Sequence, residues 1–197
     1  MTNKNILLGV TGGIAAYKAC EVARLFIKQD FTVHVMMTAA AQKFVTAMTF
    51  QALTGKPVAT DFFDVQQANA MNHIRLGDEA NVVLIAPATA DILAKAAHGF
   101  CDDIVTSVLL ATKAPIVFAP SMNVNMYENA ATQNNIATLK KRGCHVIDPG
   151  VGALACGWED AGRLAEPEEI TEFVFKLLGS PSPHPSPSRG RIASNMP

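Results

Sequence analysis

The segment Pro120-Ser121-Met122-Asn123-Val124-Asn125-Met126-Tyr127 sets an amide and two thioethers directly after a short apolar run, Ala114 to Ala119. Within that run, Ile116-Val117-Phe118-Ala119 reads as a buried strand, which Pro120 ends. Open α/β sheets hold their ligands just past the carboxyl ends of strands. At such a place the Asn123 carboxamide can clamp a carboxylate by donating hydrogen bonds without adding charge, while methionines supply soft apolar walls. The same residues equally suit a helix start, with Asn123 as N-cap and Met122 and Met126 as core filler. On this segment alone both readings stand open.

Two further stretches carry chemistry. Gly150-Val151-Gly152-Ala153-Leu154-Ala155-Cys156-Gly157-Trp158 is glycine-rich, with weak helix and strand propensity. A thiol on such a loop is better placed for reaction than for packing, although a lone loop cysteine is more often inert. Near the start, Ile6-Leu7-Leu8-Gly9-Val10 is strand-like and runs into Thr11-Gly12-Gly13-Ile14-Ala15-Ala16-Tyr17-Lys18. Glycines after a first strand let backbone approach a ligand, and a following helix offers N–H groups to an anion. The spacing fits neither the dinucleotide fingerprint nor a phosphate-binding Gly-Lys-Ser/Thr loop. A nucleotide-like ligand is indicated, and a standard dinucleotide site is not. Cys20, Cys101 and Cys144 read as structural, there is no C-x-x-C pair, and the five histidines are scattered, so no metal site is expected.

Regular elements must hold these groups in place. Strands are expected at Asn5 to Val10, Phe31 to Met37, Asn81 to Ala86, Ala114 to Ala119 and His145 to Asp148. Helices are expected at Ile14 to Gln29, Ala39 to Leu53, Ala90 to Ala97, Asp102 to Thr112, Ala130 to Arg142 and Glu168 to Leu178. Ala15, Ala19, Val22, Ala23 and Phe26 form an apolar face at helical spacing, and Pro167 suits the first turn of the last helix. Alternating β and α segments with continuously apolar strands imply an α/β fold: a doubly wound, flavodoxin-like or Rossmann-like parallel sheet with helices on both faces.

Composition narrows the function classes. The chain has 197 residues, enough for one domain with a sizeable core. Charged residues make up 17% and the formal net charge is −1, so neither nucleic acid nor an anionic membrane surface is an expected partner. The charged share is below the roughly 25% usual for soluble domains, which suggests surface buried in an oligomer. No apolar stretch approaches the roughly 20 residues that span a bilayer, and the N-terminus lacks a signal pattern; cytoplasm is the expected location. After Leu178 the Pro/Ser-rich run from Gly179 to Arg191 favours a solvated, extended chain. Residues 1–178 are therefore read as one folded domain and 179–197 as a tail or linker.

Five blocks in this order and spacing match a known family: Gly9 to Lys18; Met71-Asn72-His73-Ile74; Ala86-Pro87-Ala88-Thr89-Ala90-Asp91; Pro120 to Tyr127; and Ala155-Cys156-Gly157 with Gly162-Arg163. Over about residues 4–178 the chain resembles the homo-oligomeric flavin-containing cysteine decarboxylases. Within them it is similar to the phosphopantothenoylcysteine decarboxylase branch of coenzyme A biosynthesis.

The resemblance implies FMN as cofactor and a redox-neutral decarboxylation of 4'-phosphopantothenoylcysteine to 4'-phosphopantetheine. It implies His73 as base, Asn123 as holder of the substrate carboxylate and Cys156 as final proton donor. Gly12, Gly13, Ile14, Thr38, Thr89, Ala90 and Asp91 are implied as flavin contacts. Met126, Ala155 and Gly157 join Asn123 and Cys156 against substrate. A homotrimer or an assembly of trimers is implied, with His73 available to a neighbour's site, as is a phosphopantothenoylcysteine synthetase as partner or fused domain. Two related flavoenzymes compete: an oxidative peptidyl-cysteine decarboxylase and a flavin prenyltransferase. A third alternative is a non-catalytic, phosphatase-regulating flavoprotein. The Cys156 loop favours the redox-neutral enzyme, because the last reduction needs a proton donor that an oxidative enzyme can omit.

Overall fold

The structure is a computed structural model and describes residues 4–61, 72–153 and 159–179. Five strands, β1 (Asn5–Val10), β2 (Thr32–Met37), β3 (Val82–Ala88), β4 (Ile116–Pro120) and β5 (His145–Val146), form one sheet in the order β2-β1-β3-β4-β5. Every pairing is parallel. This is the doubly wound, flavodoxin-like α/β arrangement expected from the alternation of elements. The chain winds outward from β1 to β2 on one side and from β3 to β5 on the other, which opens a crevice at the carboxyl ends of β1 and β3.

The strands are buried on both faces because successive side chains point opposite ways. Ile6, Leu8, Val10, Val82, Leu84, Ala86, Val117 and Ala119 enter one core. Their neighbours Leu7, Val83, Ile85 and Phe118 enter the other. The first core is closed by α1 (Lys18–Ile27) and α8 (Pro167–Leu177), whose Phe26 and Phe175 rings meet edge-on at 5.6 Å. The second is closed by α3 (Asn72–Glu79), α4 (Ala90–His98), α5 (Ile104–Ala111) and α7 (Ala130–Lys141). Each fully buried Leu, Ile or Phe contributes about 1.5–3 kcal/mol of transfer free energy, so the sheet is a rigid base for the loops at its edge.

Several boundaries differ from the sequence expectation for local reasons. The first helix opens with a 3-10 turn, Ile14–Tyr17, so the start of α1 is set back from the two glycines. The expected helix over 39–53 divides into a 3-10 turn, Ala41–Lys43, and α2 (Ala47–Thr54). β-branched Val45 and Thr46 interrupt it, and Thr46 is extended as the N-cap of α2. β5 is only two residues long, since just Val117 and Phe118 pair with it before the chain leaves the sheet edge. The glycine-rich stretch is not wholly irregular: β6 (Gly150–Ala153) and β7 (Glu159–Arg163) pair antiparallel as a separate two-stranded sheet. The short α6 (Val124–Glu128) and α3 complete the elements.

Candidate active site at the carboxyl edge of the sheet

A cavity of about 750 Å³ lies past the carboxyl ends of β1, β2, β3 and β4, at the switch point between β1 and β3. That volume is in the range of a small-molecule or cofactor site. Its first wall is the glycine turn. A Cβ at Gly12 would overlap Ala40 Cβ and meet the Ala40 carbonyl carbon at 2.9 Å, so glycine lets this turn touch the one after β2. Gly13 is different. It is extended, at φ −153°, and a Cβ there would have only Thr89 Cγ2 nearby, at 3.6 Å. The open space beside Gly13 is part of the cavity, which the exposed Ile14 also lines.

Three threonines organise the polar part. The buried Thr11 hydroxyl donates to the Pro87 carbonyl at 2.6 Å and accepts from the Thr89 backbone N–H at 3.3 Å. It thereby clasps the turn after β3 to the turn after β1. Thr89 Oγ1 in turn accepts from Ile92 N at 3.4 Å as the N-cap of α4. Thr38 Oγ1 accepts from Ala41 N at 3.2 Å, which leaves its hydroxyl hydrogen to donate elsewhere. Donor hydroxyls beside glycine backbone suit an anionic or hydroxyl-rich ligand without a fixed positive charge.

The opposite wall is the segment after β4. Asn123 is the N-cap of α6, its Oδ1 accepting from Asn125 N at 2.9 Å. The helix-start reading holds for Asn123, which also lines the cavity; Met122 packs partly into the core, whereas Met126 is not core filler but stays half-exposed at the wall. With its oxygen turned to the helix start, the carboxamide has its NH₂ end as its donor group.

At the rim, Lys95 reaches Asp102 at 2.8 Å and Asp91 at 3.6 Å. The hydrogen bond to Asp102 holds the Lys95 ammonium above its ordinary range, and the same contact holds the Asp102 carboxyl below its own. Asp103 accepts from Thr106 N at 2.8 Å and caps α5 beside them.

Gly12, Gly13, Ile14, Thr38, Thr89, Ala90, Asp91, Asn123 and Met126 thus all line one cavity. His73 lies in the first turn of α3, and its side chain is outside the described residues. Ala155, Cys156 and Gly157 are also outside them, between β6 and β7. Sequence reasoning missed Thr11, Lys95, Asp102, Asp103 and Gly162 as cavity residues. The i,i+4 spacing of Asp91 and Lys95 and the Asp103-x-x-Thr106 capping pattern were the available signals. Among the described residues no group of three His, Cys, Asp or Glu side chains is placed to hold a metal, and no helix is long and apolar enough to cross a membrane.

A known family, described as Flavoprotein, matches residues 1–179. The coenzyme A biosynthesis bifunctional protein CoaBC of Mycobacterium tuberculosis is 47% identical over 175 residues, covering 89% of this chain and 41% of that protein. The protein of the same name from Vibrio cholerae is 46% identical over 183 residues, covering 90% and 46%. The chain therefore spans less than half the length of these curated relatives. Among solved structures, a cysteine-to-serine mutant of PPC decarboxylase complexed with pantothenoylaminoethenethiol superposes with a TM-score of 0.81 at 28% identity, covering 90% of this chain and all of that one. The FMN-dependent cysteine decarboxylase SpaF superposes at 0.72 with 32% identity, covering 81% and 89%.

Proposed function

Because the chain belongs to the Flavoprotein family, we propose that it is an FMN-dependent decarboxylase converting 4'-phosphopantothenoylcysteine to 4'-phosphopantetheine in coenzyme A biosynthesis. The observation that carries this reading is the convergence of the glycine turn, the Thr89–Asp91 turn and Asn123 on one cavity at the switch point. The space beside Gly13 and the exposed Ile14 fit a flat aromatic ring system, and the Thr38 hydroxyl fits a phosphate. Gly12, Gly13, Ile14, Thr38, Thr89, Ala90 and Asp91 would hold the flavin. When bound, FMN supplies a two-electron acceptor and donor that returns to its starting state within each turnover.

The chain's own residues orient substrate and move protons. Asn123 holds the carboxylate that leaves as CO₂, and Met126, Ala155 and Gly157 complete the substrate walls. The His73 imidazole takes the proton lost as the cysteine moiety is oxidised, the general-base work to which histidine is suited. The Cys156 thiol returns a proton to the ene-thiolate left after decarboxylation. In this reading residues 1–178 are the flavin domain and 179–197 a tail or linker. The folded part works as a homotrimer or an assembly of trimers in the cytoplasm, with His73 serving a neighbouring copy's cavity. Exposed Tyr17, Phe44 and Met48 support burial of surface between copies. The short span relative to CoaBC supports a phosphopantothenoylcysteine synthetase as fused or separate partner.

Purified protein is expected to be yellow and to release CO₂ from phosphopantothenoylcysteine in excess chelator. Colourless protein that FMN cannot reconstitute would overturn the reading. Cys156→Ser separates it from an oxidative decarboxylase. A serine hydroxyl is a far weaker acid than a thiol of pKa about 8.5, so CO₂ should still leave while flavin bleaching recovers slowly and product lacks two hydrogens. Release of that oxidised product by the unmutated protein would assign the oxidative activity instead.

A further inference from the structure

Lys18 is the first residue of α1, separated from the glycine turn by the 3-10 turn Ile14–Tyr17, and its side chain is only 11% exposed. Its ammonium meets Glu166 Oε2 at 3.0 Å, across 148 positions of chain. The other carboxylate oxygen, Oε1, meets Arg163 Nη2 at 2.7 Å. One carboxylate at the start of α8 thus joins a cation from α1 to a cation at the end of β7. The residue before Arg163 is fastened on its other side: the Gly162 carbonyl accepts from Met122 N at 2.9 Å. Gly162 has φ 134°, and a Cβ there would collide with the Met122 carbonyl oxygen, so only glycine permits this contact. Residues 162 and 163 therefore hang between the two walls of the cavity.

Burying an ammonium for stability alone is inefficient, because an apolar side chain of similar volume packs without the desolvation cost. A carboxylate with each oxygen committed to a different cation does something packing cannot: it fixes distance and direction between three elements. We infer that Lys18 and Glu166 are positioning residues, and that the Lys18–Glu166–Arg163 bridge sets the root of the β6–β7 hairpin against the cavity wall that bears Gly12 to Ile14. The functional part of the inference rests on the proposed decarboxylase reading, since β6 and β7 flank the segment that contains Cys156. The bridge serves the last protonation and leaves the carboxylate clamp at Asn123 alone.

The test uses Lys18→Met, Arg163→Met and the conservative Arg163→Lys in the full chain. Flavin affinity and CO₂ release should stay within about twofold of the parent. Flavin recovery and formation of saturated thiol should slow by roughly 10- to 100-fold in both methionine variants, as a misplacement on the order of 1 Å does. Arg163→Lys should restore most of that rate. Equal decline of both half-reactions would reduce the bridge to a fold-stabilising contact, and unchanged recovery would remove its role. Hydrogen exchange gives a readout independent of activity: amides of β6 and β7 should exchange faster in the methionine variants while those of β1 and β3 do not. If the parent binds no flavin, the proposed function fails, yet the exchange pattern still decides whether the bridge positions the hairpin. Arg163 is partly exposed, so its pair of variants decides the matter even if Lys18→Met does not fold.

Discussion

Gly12 and Gly13 are adjacent in sequence and occupy opposite situations, which makes their alanine variants a sharp pair. At Gly12 the added methyl meets Ala40 backbone and Cβ, none of which can rotate away. Overpacking of this kind costs about 1–3 kcal/mol. For a chain of this size that lowers Tm by roughly 2–12 °C. At Gly13 the backbone is extended, a conformation any residue adopts, and the methyl makes an ordinary 3.6 Å contact with Thr89. Its removal of unfolded-chain freedom should even stabilise the fold, by about 0.4–1 kcal/mol. The Gly13 methyl instead occupies cavity space. If flavin lies against the glycine turn, the same 1–3 kcal/mol of overpacking appears as a loss of affinity, roughly 5- to 150-fold. Thermal unfolding followed by circular dichroism, without added FMN, gives the first quantity and a flavin fluorescence titration the second. The reasoning is refuted if Gly13→Ala melts as early as Gly12→Ala, or if Gly12→Ala leaves Tm unmoved.

Thr11→Val keeps the shape of a buried residue but orphans the Pro87 carbonyl and the Thr89 N–H; urea titration should show a loss of about 1–3 kcal/mol, largely avoided in Thr11→Ser. Glu166 has its carboxyl held below the ordinary range, first by the hydrogen bond from Lys18. A lowered folded pKa contributes stability that is complete above the unfolded value of about 4.3 and is lost as pH falls through the folded one. Glu166→Gln should therefore be less stable than the parent at neutral pH, by no more than about 1 kcal/mol for this half-exposed group, with the gap closing below pH 4.3 in a pH series of melts. Asn123→Asp retains a capping oxygen for α6 and should fold normally, but its negative charge faces the substrate carboxylate, so CO₂ release should vanish. His73→Asn should also abolish CO₂ release in folded protein; near-normal turnover by either variant would refute the role given to that residue.

The sheet was legible because its strands are mainly apolar and regularly spaced among helical patterns, and every expected strand is present. So was most of the cavity wall, since strand-end turns with Gly12, Gly13, Thr89 and Asn123 have a position in the fold that follows from topology alone. Where the reading failed, the cause was local or long-range chemistry. The extended backbone at Thr46 divides the helix over 39–53, with no side-chain capping hydrogen bond from that residue. α3 and α6 are short, and α6 gains its start from the same Asn123 that serves the cavity. The β6–β7 hairpin was hidden because glycine-rich strands carry no alternating apolar pattern, and its docking depends on Gly162 meeting Met122, forty residues earlier in the chain. Lys95 and Asp102 reached the rim through packing of α4 on α5, which periodicity does not report.

The hairpin's independence from the main sheet has an architectural consequence. Its two strands pair only with each other in sheet geometry, and its root is tied at Met122 and Glu166. Changes confined to β6 and β7 alter no rung of the five-stranded sheet and no residue of the glycine turn. Such segments tolerate substitution and insertion well, because the added chain costs little closure entropy. The scaffold is thus modular: a constant platform beside an exchangeable arm. Exchanging other residues of the arm, with Cys156, Gly162 and Arg163 kept, is a way to vary one side of the cavity on an unchanged base.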